Sequence, residues 1–240
     1  MSYKNIISLV GMSGVGKTTF ASSQNPSIYF HYSVDYVIGK YFLENDILEC
    51  IKDKINSKLV YKLIKDNKLS MNANINIKDL SLVSLFLGKF GSKKLGGLDR
   101  KEFLRRQRLY AAAEKKSTME LGDIADKIFE MGYKYIINDL TGSICEVIDD
   151  KIEKFLKQTT IKYLPSSKEH IETLKNRAKK SPKPLLFSES FFESVVEKFK
   201  KEKNIKNDDN VVPDEFCIYS FPLLIENRIP KYERIAGLNV

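Results

Sequence analysis

A chain of 240 residues, of which 42% are hydrophobic and 30% charged, can bury one sizeable core, and we expect a single domain over residues 1–240. It has no apolar run as long as a membrane span and no secretion signal at its start, so we expect a cytoplasmic protein that does not enter membranes. The net charge is +9, but 33 of the 40 basic residues are lysines spread along the chain. This argues against nucleic acid as a partner, because phosphate-reading patches are usually clustered and rich in arginine.

The first predicted elements are a strand, a glycine-rich loop and the start of a helix. Residues 5–10 (NIISLV) have a buried-strand pattern, and residues 11–18 read GMSGVGKT, which fits G-x-x-x-x-G-K-[ST]. In such a loop the backbone N–H groups curl around phosphate oxygens, the lysine reaches the β- and γ-phosphates, and the hydroxyl binds Mg²⁺. We therefore predict binding of a nucleoside triphosphate with Mg²⁺. The residues expected to contact it are Gly11, Met12, Ser13, Gly14, Val15, Gly16, Lys17, Thr18 and Thr19.

The rest of the chain alternates short apolar strands with amphipathic helices, which predicts an α/β fold with a largely parallel sheet. Further strands are expected at residues 27–32, 133–138 and 160–164, and a last one beginning at residue 238. About a hundred residues separate the second and third strands, far more than an ordinary crossover needs, and their i, i+4 apolar spacing predicts helices. We interpret residues 40–131 as a helical insertion that supplies an acceptor pocket or a partner surface.

Two carboxylates follow predicted strands, Asp35 after the second and Asp139 at the end of the third. In an open α/β sheet ligands bind at the carboxyl ends of the strands, so both should face the phosphate loop. We predict that Asp35 orients or deprotonates an acceptor hydroxyl or holds a metal-bound water. We also predict that Asp139 holds Mg²⁺ through water and that Thr18 offers this ion its hydroxyl. The structural alternatives are a helix N-cap for Asp35 and a turn for Asp139. The sequence DLTG from Asp139 also matches a GTPase motif, but no guanine-recognition motif follows it.

Two clusters of cations remain. Residues 165–188 combine a cation-rich helix end with a proline-broken loop, and we predict a mobile lid in which Arg177 contacts transferring phosphates. The alternative is a solvated helix end. The second cluster comprises four arginines of one predicted helix, for which an exposed helix face is favoured over contact with an anionic acceptor. These are Arg100, Arg105, Arg106 and Arg108.

Together these residues resemble the shikimate-kinase-like and nucleoside-monophosphate-kinase-like P-loop kinases. The resemblance rests on GMSGVGKTT, on Asp35, on KPLL at residues 183–186 and on the pattern Arg228-x-Pro230-x-Tyr232-x-x-x-Ala236. It implies a P-loop NTPase fold of three layers, α/β/α, with a parallel sheet of about five strands and a lid over ATP. Carried over to this chain, it implies that Lys17 and Thr18 bind phosphate and metal, that Asp35 engages the acceptor and that Arg177 is the lid arginine.

The resemblance covers the ATP-binding half of the chain better than the acceptor half. The family's paired acids after the second strand are replaced by Ser33 and Asp35, and its acceptor loop of three glycines is replaced by residues 139–143. We expect an ATP-dependent kinase that transfers the γ-phosphate to a small-molecule or nucleotide acceptor other than shikimate. The alternatives are an ATPase that regulates or binds a partner through the insertion, and a nucleic-acid-directed enzyme such as a polynucleotide kinase.

Overall fold

The centre of the protein is a sheet of four parallel strands in the order β2-β3-β1-β4. The computed structural model describes residues 3–77 and 79–239. The predicted α/β class is confirmed, with four of the predicted strands near their expected positions. The strands are β1 Tyr3–Val10, β2 Tyr29–Ser33, β3 Tyr135–Asp139 and β4 Thr159–Tyr163.

The predicted fifth strand at the end of the chain is wrong. Residues Gly237–Asn239 form a 3-10 helix directly after a long α-helix, and residue 240 lies outside the described residues. Leu238 packs against the main hydrophobic core, which lies on one face of the sheet, instead of extending the sheet. A short apolar stretch predicted the strand, but its helical neighbour determines the local conformation.

Eleven α-helices surround the sheet within the described residues. A π-helical turn (Ile38–Phe42) follows the second of them, and 3-10 turns lie at Lys93–Leu95 and Asp208–Asn210. The helices are α1 Lys17–Ser22, α2 Val34–Val37, α3 Glu44–Lys52, α4 Lys58–Lys65, α5 Ser81–Leu87, α6 Arg100–Glu130, α7 Ile144–Val147, α8 Asp150–Gln158, α9 Lys168–Lys180, α10 Glu189–Lys203 and α11 Pro213–Ala236.

Helix α6 is the longest element and connects the predicted insertion to the sheet. Asp99 caps its start by accepting a hydrogen bond from the backbone N–H of Glu102 at 2.8 Å, an interaction that favours a helix beginning there. Its second half buries Leu121, Ala125 and Ile128 in the main core and packs against β3. The second half of α6 therefore covers the sheet as well as ending the insertion.

The two faces of the sheet are covered unequally. One face, with Ile6, Tyr32 and Ile136, belongs to the main core, which α6, α8 and α11 complete. The other face packs Leu9 and Ile137 against Ala21 of the short helix α1. This arrangement is compatible with three layers, α/β/α, the third of which is thin.

A separate aromatic core anchors the segment that follows α9. It lies among α6, α10 and α11 and includes Phe187, which follows the predicted lid sequence KPLL. The amide side chain of Gln107 in α6 holds this segment at both sides, since its Nε2 donates to Leu185 O and its Oε1 accepts from Phe187 N. The fully buried rings of this core are Phe90, Phe103, Phe192, Phe199 and Phe216.

No helix in residues 3–77 and 79–239 is both long enough and apolar enough to cross a membrane.

Candidate functional site

The glycine-rich loop joins the end of β1 to the start of α1, as its sequence predicts. Three of its residues have positive φ angles: Gly11 at 149°, Gly14 at 88° and Gly16 at 94°. Side chains disfavour this backbone region, and a Cβ on Gly11 would lie 2.6 Å from the carbonyl oxygen of Leu164. The loop therefore depends on glycine for its path as well as for its openness.

Lys17 lies folded into this loop and is only 7% exposed. Its Nζ donates to the carbonyl oxygens of Gly11 at 2.8 Å and Met12 at 3.0 Å, and no carboxylate of the described residues lies within ion-pair distance. Burial lowers the pKa of Lys17, and the negative charges of Asp139 and Asp35 oppose part of that shift. A buried ammonium group with neutral partners only is a costly arrangement that a bound anion would relieve.

Thr18 and Asp139, the two predicted Mg²⁺ ligands, are in direct contact. The hydroxyl of Thr18 donates to Oδ2 of Asp139 at 2.7 Å, and Nε2 of His31 lies 3.2 Å from the same oxygen. Two adjacent ligands of an octahedral Mg²⁺ ion are about 3.0 Å apart, because each lies about 2.1 Å from the metal. The two side chains are thus close enough to hold one such ion beside a bound phosphate, with the charge of Asp139 favouring a cation there.

Asp35 lies in the first turn of α2, just beyond the end of β2. The N-cap alternative for this residue is wrong, because Ser33 is the cap and its Oγ accepts from the backbone N–H of Tyr36. The carboxylate of Asp35 instead accepts a hydrogen bond from the hydroxyl of Tyr110 at 2.8 Å. Burial raises the pKa of Asp35, and the hydrogen bond from Tyr110 opposes part of the shift. This environment suits a group that accepts a proton.

A buried acid, Glu114 of α6, lies beneath the loop that follows β3. It is fully buried and accepts hydrogen bonds from the hydroxyls of Thr141 and Ser143, the latter at 2.9 Å. Burial raises the pKa of Glu114 to about 7, against the opposing effect of these two hydrogen bonds. Glu114 therefore fixes the loop from below.

The same loop is held from the side by Arg228 and Tyr232 of α11. Arg228 donates to the carbonyl oxygens of Gly142 at 2.8 Å and Leu186 at 2.6 Å, and it pairs with Glu146 at 3.0 Å. The hydroxyl of Tyr232 also donates to Gly142 O. The R-x-P-x-Y segment thus connects the loop after β3 to the chain that leaves α9.

These elements enclose a cavity of about 750 Å³ beside the glycine-rich loop. Asp35 and Tyr110 line one side of it, and α9 with the following segment lines the other. Leu174 of α9 lies over the loop, since a Cβ on Gly14 would be 3.0 Å from its side chain. Three exposed cations from the predicted lid line the cavity and have no carboxylate partner among the described residues. They are Arg177, Lys180 and Lys183.

The four arginines of α6 behave differently, because each one is paired with a carboxylate. Arg105 and Arg106 bind Glu102 at 2.8 and 2.6 Å. The remaining pairs, Arg100 with Asp208 at 2.7 Å and Arg108 with Glu189 at 2.6 Å, tie α6 to more distant parts of the chain. These contacts favour the structural interpretation of the cluster over an anionic acceptor site.

No protein-family model, curated protein or solved structure matches the chain. Its function is therefore inferred from the residues of the site.

The fold brings together Lys17, Thr18, Asp35 and Asp139, and it places Arg177 on the opposite wall of the same cavity. Sequence reasoning missed three contacts: His31 on Asp139, Tyr110 on Asp35, and Glu114 beneath the loop. The partner of a histidine in a strand, such as His31, cannot be predicted until it is known which strand lies next to it. In the sequence, a glutamate in the middle of a long charged helix looks like a surface residue. The neighbours Ala113 and Tyr110, one residue and one helical turn before Glu114, could have indicated that it faces inward.

Proposed function

We propose that the chain is an ATP-dependent phosphotransferase. In this proposal the glycine-rich loop binds the triphosphate of Mg·ATP, and the cavity beside Asp35 receives a small acceptor with a hydroxyl group. The observation that supports it most is Lys17, a buried ammonium group held by two carbonyls inside a loop with three left-handed glycines. A phosphate group would supply the negative charge that this position lacks.

Four groups of the chain would act on the donor. Lys17 would neutralise charge on the β- and γ-phosphates, and the loop N–H groups would orient them. Thr18 and Asp139 would hold Mg²⁺, which neutralises the charge that develops during phosphoryl transfer. Their oxygens lie 2.7 Å apart next to the loop, in support of this assignment.

Asp35 would act on the acceptor. It lines the cavity, and the Tyr110 hydroxyl fixes the direction of its carboxylate, so the other oxygen can accept a proton from an acceptor hydroxyl. Arg177, Lys180 and Lys183 on the facing wall, which have no carboxylate partner in the described part of the chain, would stabilise phosphate oxygens. Closure of α9 would exclude water. Positioning and electrostatics would thus supply most of the catalysis.

The acceptor assignment predicts that Asp35→Asn lowers turnover far more than ATP affinity. Phosphate transfer from ATP would be measured against a panel of sugars, hydroxy acids, nucleosides and nucleoside monophosphates. We expect turnover with the best acceptor to fall by a factor on the order of 10² to 10⁴, with ATP affinity changed less than about threefold. Asp123→Asn, at an exposed position of α6, is the matched control and should change neither quantity.

Full turnover in Asp35→Asn would show that the acceptor role is assigned to the wrong residue. ATP hydrolysis without transfer to any acceptor would support the alternative of an ATPase that acts through a partner.

A further inference from the structure

A second cavity, of about 900 Å³, lies beside β2 and is separate from the one that contains Asp35. β2 is an edge strand of the sheet, and its residues 30–33 run along the cavity. The facing walls come from residues 75–77 and from Glu120 and Ile124 of α6. Nothing in the proposed phosphotransfer uses this space.

The walls of this cavity are rich in aromatic rings. Phe30 and Tyr32 of β2 line it, together with Tyr36 and Tyr41, whose rings meet edge to face at a centroid distance of 6.2 Å. Tyr41 is 67% exposed, which is unusual for a tyrosine that lines a cavity and places it at the rim. Aromatic faces attract organic cations, because the ring quadrupole is negative above and below the plane.

Glu120 contributes a carboxylate oxygen that has no hydrogen-bond partner. Its Oε2 is inaccessible to solvent, and within the described ranges no donor reaches it and no lysine or arginine lies within ion-pair distance. Unpaired buried acceptors are rare, because each loses its water without compensation. Burial, with the charge of Glu120 as the second cause, raises the pKa of Tyr32 well above its usual range, so this negative charge lies near the aromatic wall.

We propose that this cavity binds a small organic amine. The ammonium group would pair with the carboxylate of Glu120, which lines the cavity, and the carbon skeleton would pack on the rings of Tyr32, Tyr36 and Tyr41. An uncharged apolar ligand would leave the carboxylate unpaired, and an anion would be repelled by it. His31 lines the same cavity and contacts Asp139, which in turn contacts Thr18 at the end of the glycine-rich loop. A ligand in this cavity would therefore lie near that loop.

The test uses phenethylamine as the probe and phenethyl alcohol as its uncharged match, titrated into the full chain in a calorimeter without nucleotide. We expect the amine to bind about tenfold or more tightly than the alcohol. Glu120→Gln, which keeps the shape of the side chain, should weaken amine binding about tenfold or more, and Tyr41→Leu should weaken it about two- to fivefold. Glu130→Gln, at an exposed site on the same helix, should bind like the original chain.

Equal affinity for the amine and the alcohol, unchanged amine binding in Glu120→Gln, or no binding at millimolar amine would each overturn the proposal. Far-ultraviolet circular dichroism would establish that each variant is folded. Lys17→Met should retain amine binding, because no residue of the glycine-rich loop lines this cavity. Nucleotide binding and amine binding can therefore be lost independently of each other.

Discussion

At the scale of single residues, two of the buried ionisable groups of the site, Lys17 and Glu114, serve different purposes. Lys17 faces carbonyl oxygens inside the loop, so its charge is available to a ligand. Glu114 is enclosed by protein and bonded to two hydroxyls, so it can only support the loop above it. Both arrangements reduce the free energy of unfolding relative to an apolar interior, as is common where function requires buried charge.

Glu114 predicts a specific pH dependence of stability. Because its pKa is raised from 4.5 to about 7, the folded state keeps a proton that the unfolded chain releases between these two pH values. The free energy of unfolding therefore falls as pH rises through this window, by up to about 3 kcal/mol from this one group. Glu114→Gln cannot ionise, and its amide can still bond to both hydroxyls.

We expect Glu114→Gln to match the original chain in urea unfolding at about pH 5 and to exceed its stability at about pH 8. Glu130→Gln provides the exposed control on the same helix. An identical loss of stability between the two pH values in the original chain and in Glu114→Gln would contradict a raised pKa at this position.

At the scale of elements, the loop after β3 is the point where separate parts of the fold meet. Glu114 of α6 supports it, Arg228 of α11 binds its backbone, and Ser13 of the glycine-rich loop packs against it. Contacts from three elements leave this loop little freedom. Its packing against Ser13 makes the glycine-rich loop sensitive to changes here.

Gly142→Ala tests this packing. A Cβ on Gly142 would lie 2.5 Å from the backbone nitrogen of Ser13 and 2.8 Å from its Cβ, and a rotamer change cannot relieve a clash with backbone. We expect the free energy of unfolding to fall by about 1 to 3 kcal/mol and ATP affinity to fall with it, as the loop shifts. Urea unfolding and ATP titration would measure the two effects.

Gly237→Ala is the matched control for Gly142→Ala, since a Cβ there meets no atom of the described residues within 4 Å. ATP affinity that stays unchanged in Gly142→Ala would mean that this contact does not position the glycine-rich loop.

Local sequence patterns predicted the elements whose conformation depends on residues close together in the sequence. The glycine-rich loop, four strands and the positions of Asp35 and Asp139 at strand ends follow from spacing and from the parallel connection rule. The false strand at residue 238 and the contacts of His31, Tyr110 and Glu114 depend on what packs against them. Sequence separations of 27 to 108 residues in the last three contacts explain why local patterns cannot reveal them.

At the scale of the whole molecule, helix α6 connects the two cavities. Tyr110 lines the cavity beside Asp35, and Glu120 lines the aromatic one, ten residues or about 15 Å further along the helix. The net charge of +9 agrees with anionic ligands in the first cavity, where the three cations of the predicted lid have no carboxylate partner among residues 3–77 and 79–239. The second cavity has the opposite local charge because of Glu120.

Calorimetric titration of Mg·ATP into the full chain measures whether the glycine-rich loop binds the triphosphate of a nucleotide. We predict saturable binding to the original chain and a loss of roughly a hundredfold in Lys17→Met, because the phosphates lose a buried cation. Lys179→Met, at an exposed position of α9 that does not line the cavity, should bind like the original chain. No Mg·ATP binding to the folded chain, or equal affinity in Lys17→Met, would show that this loop does not bind the triphosphate.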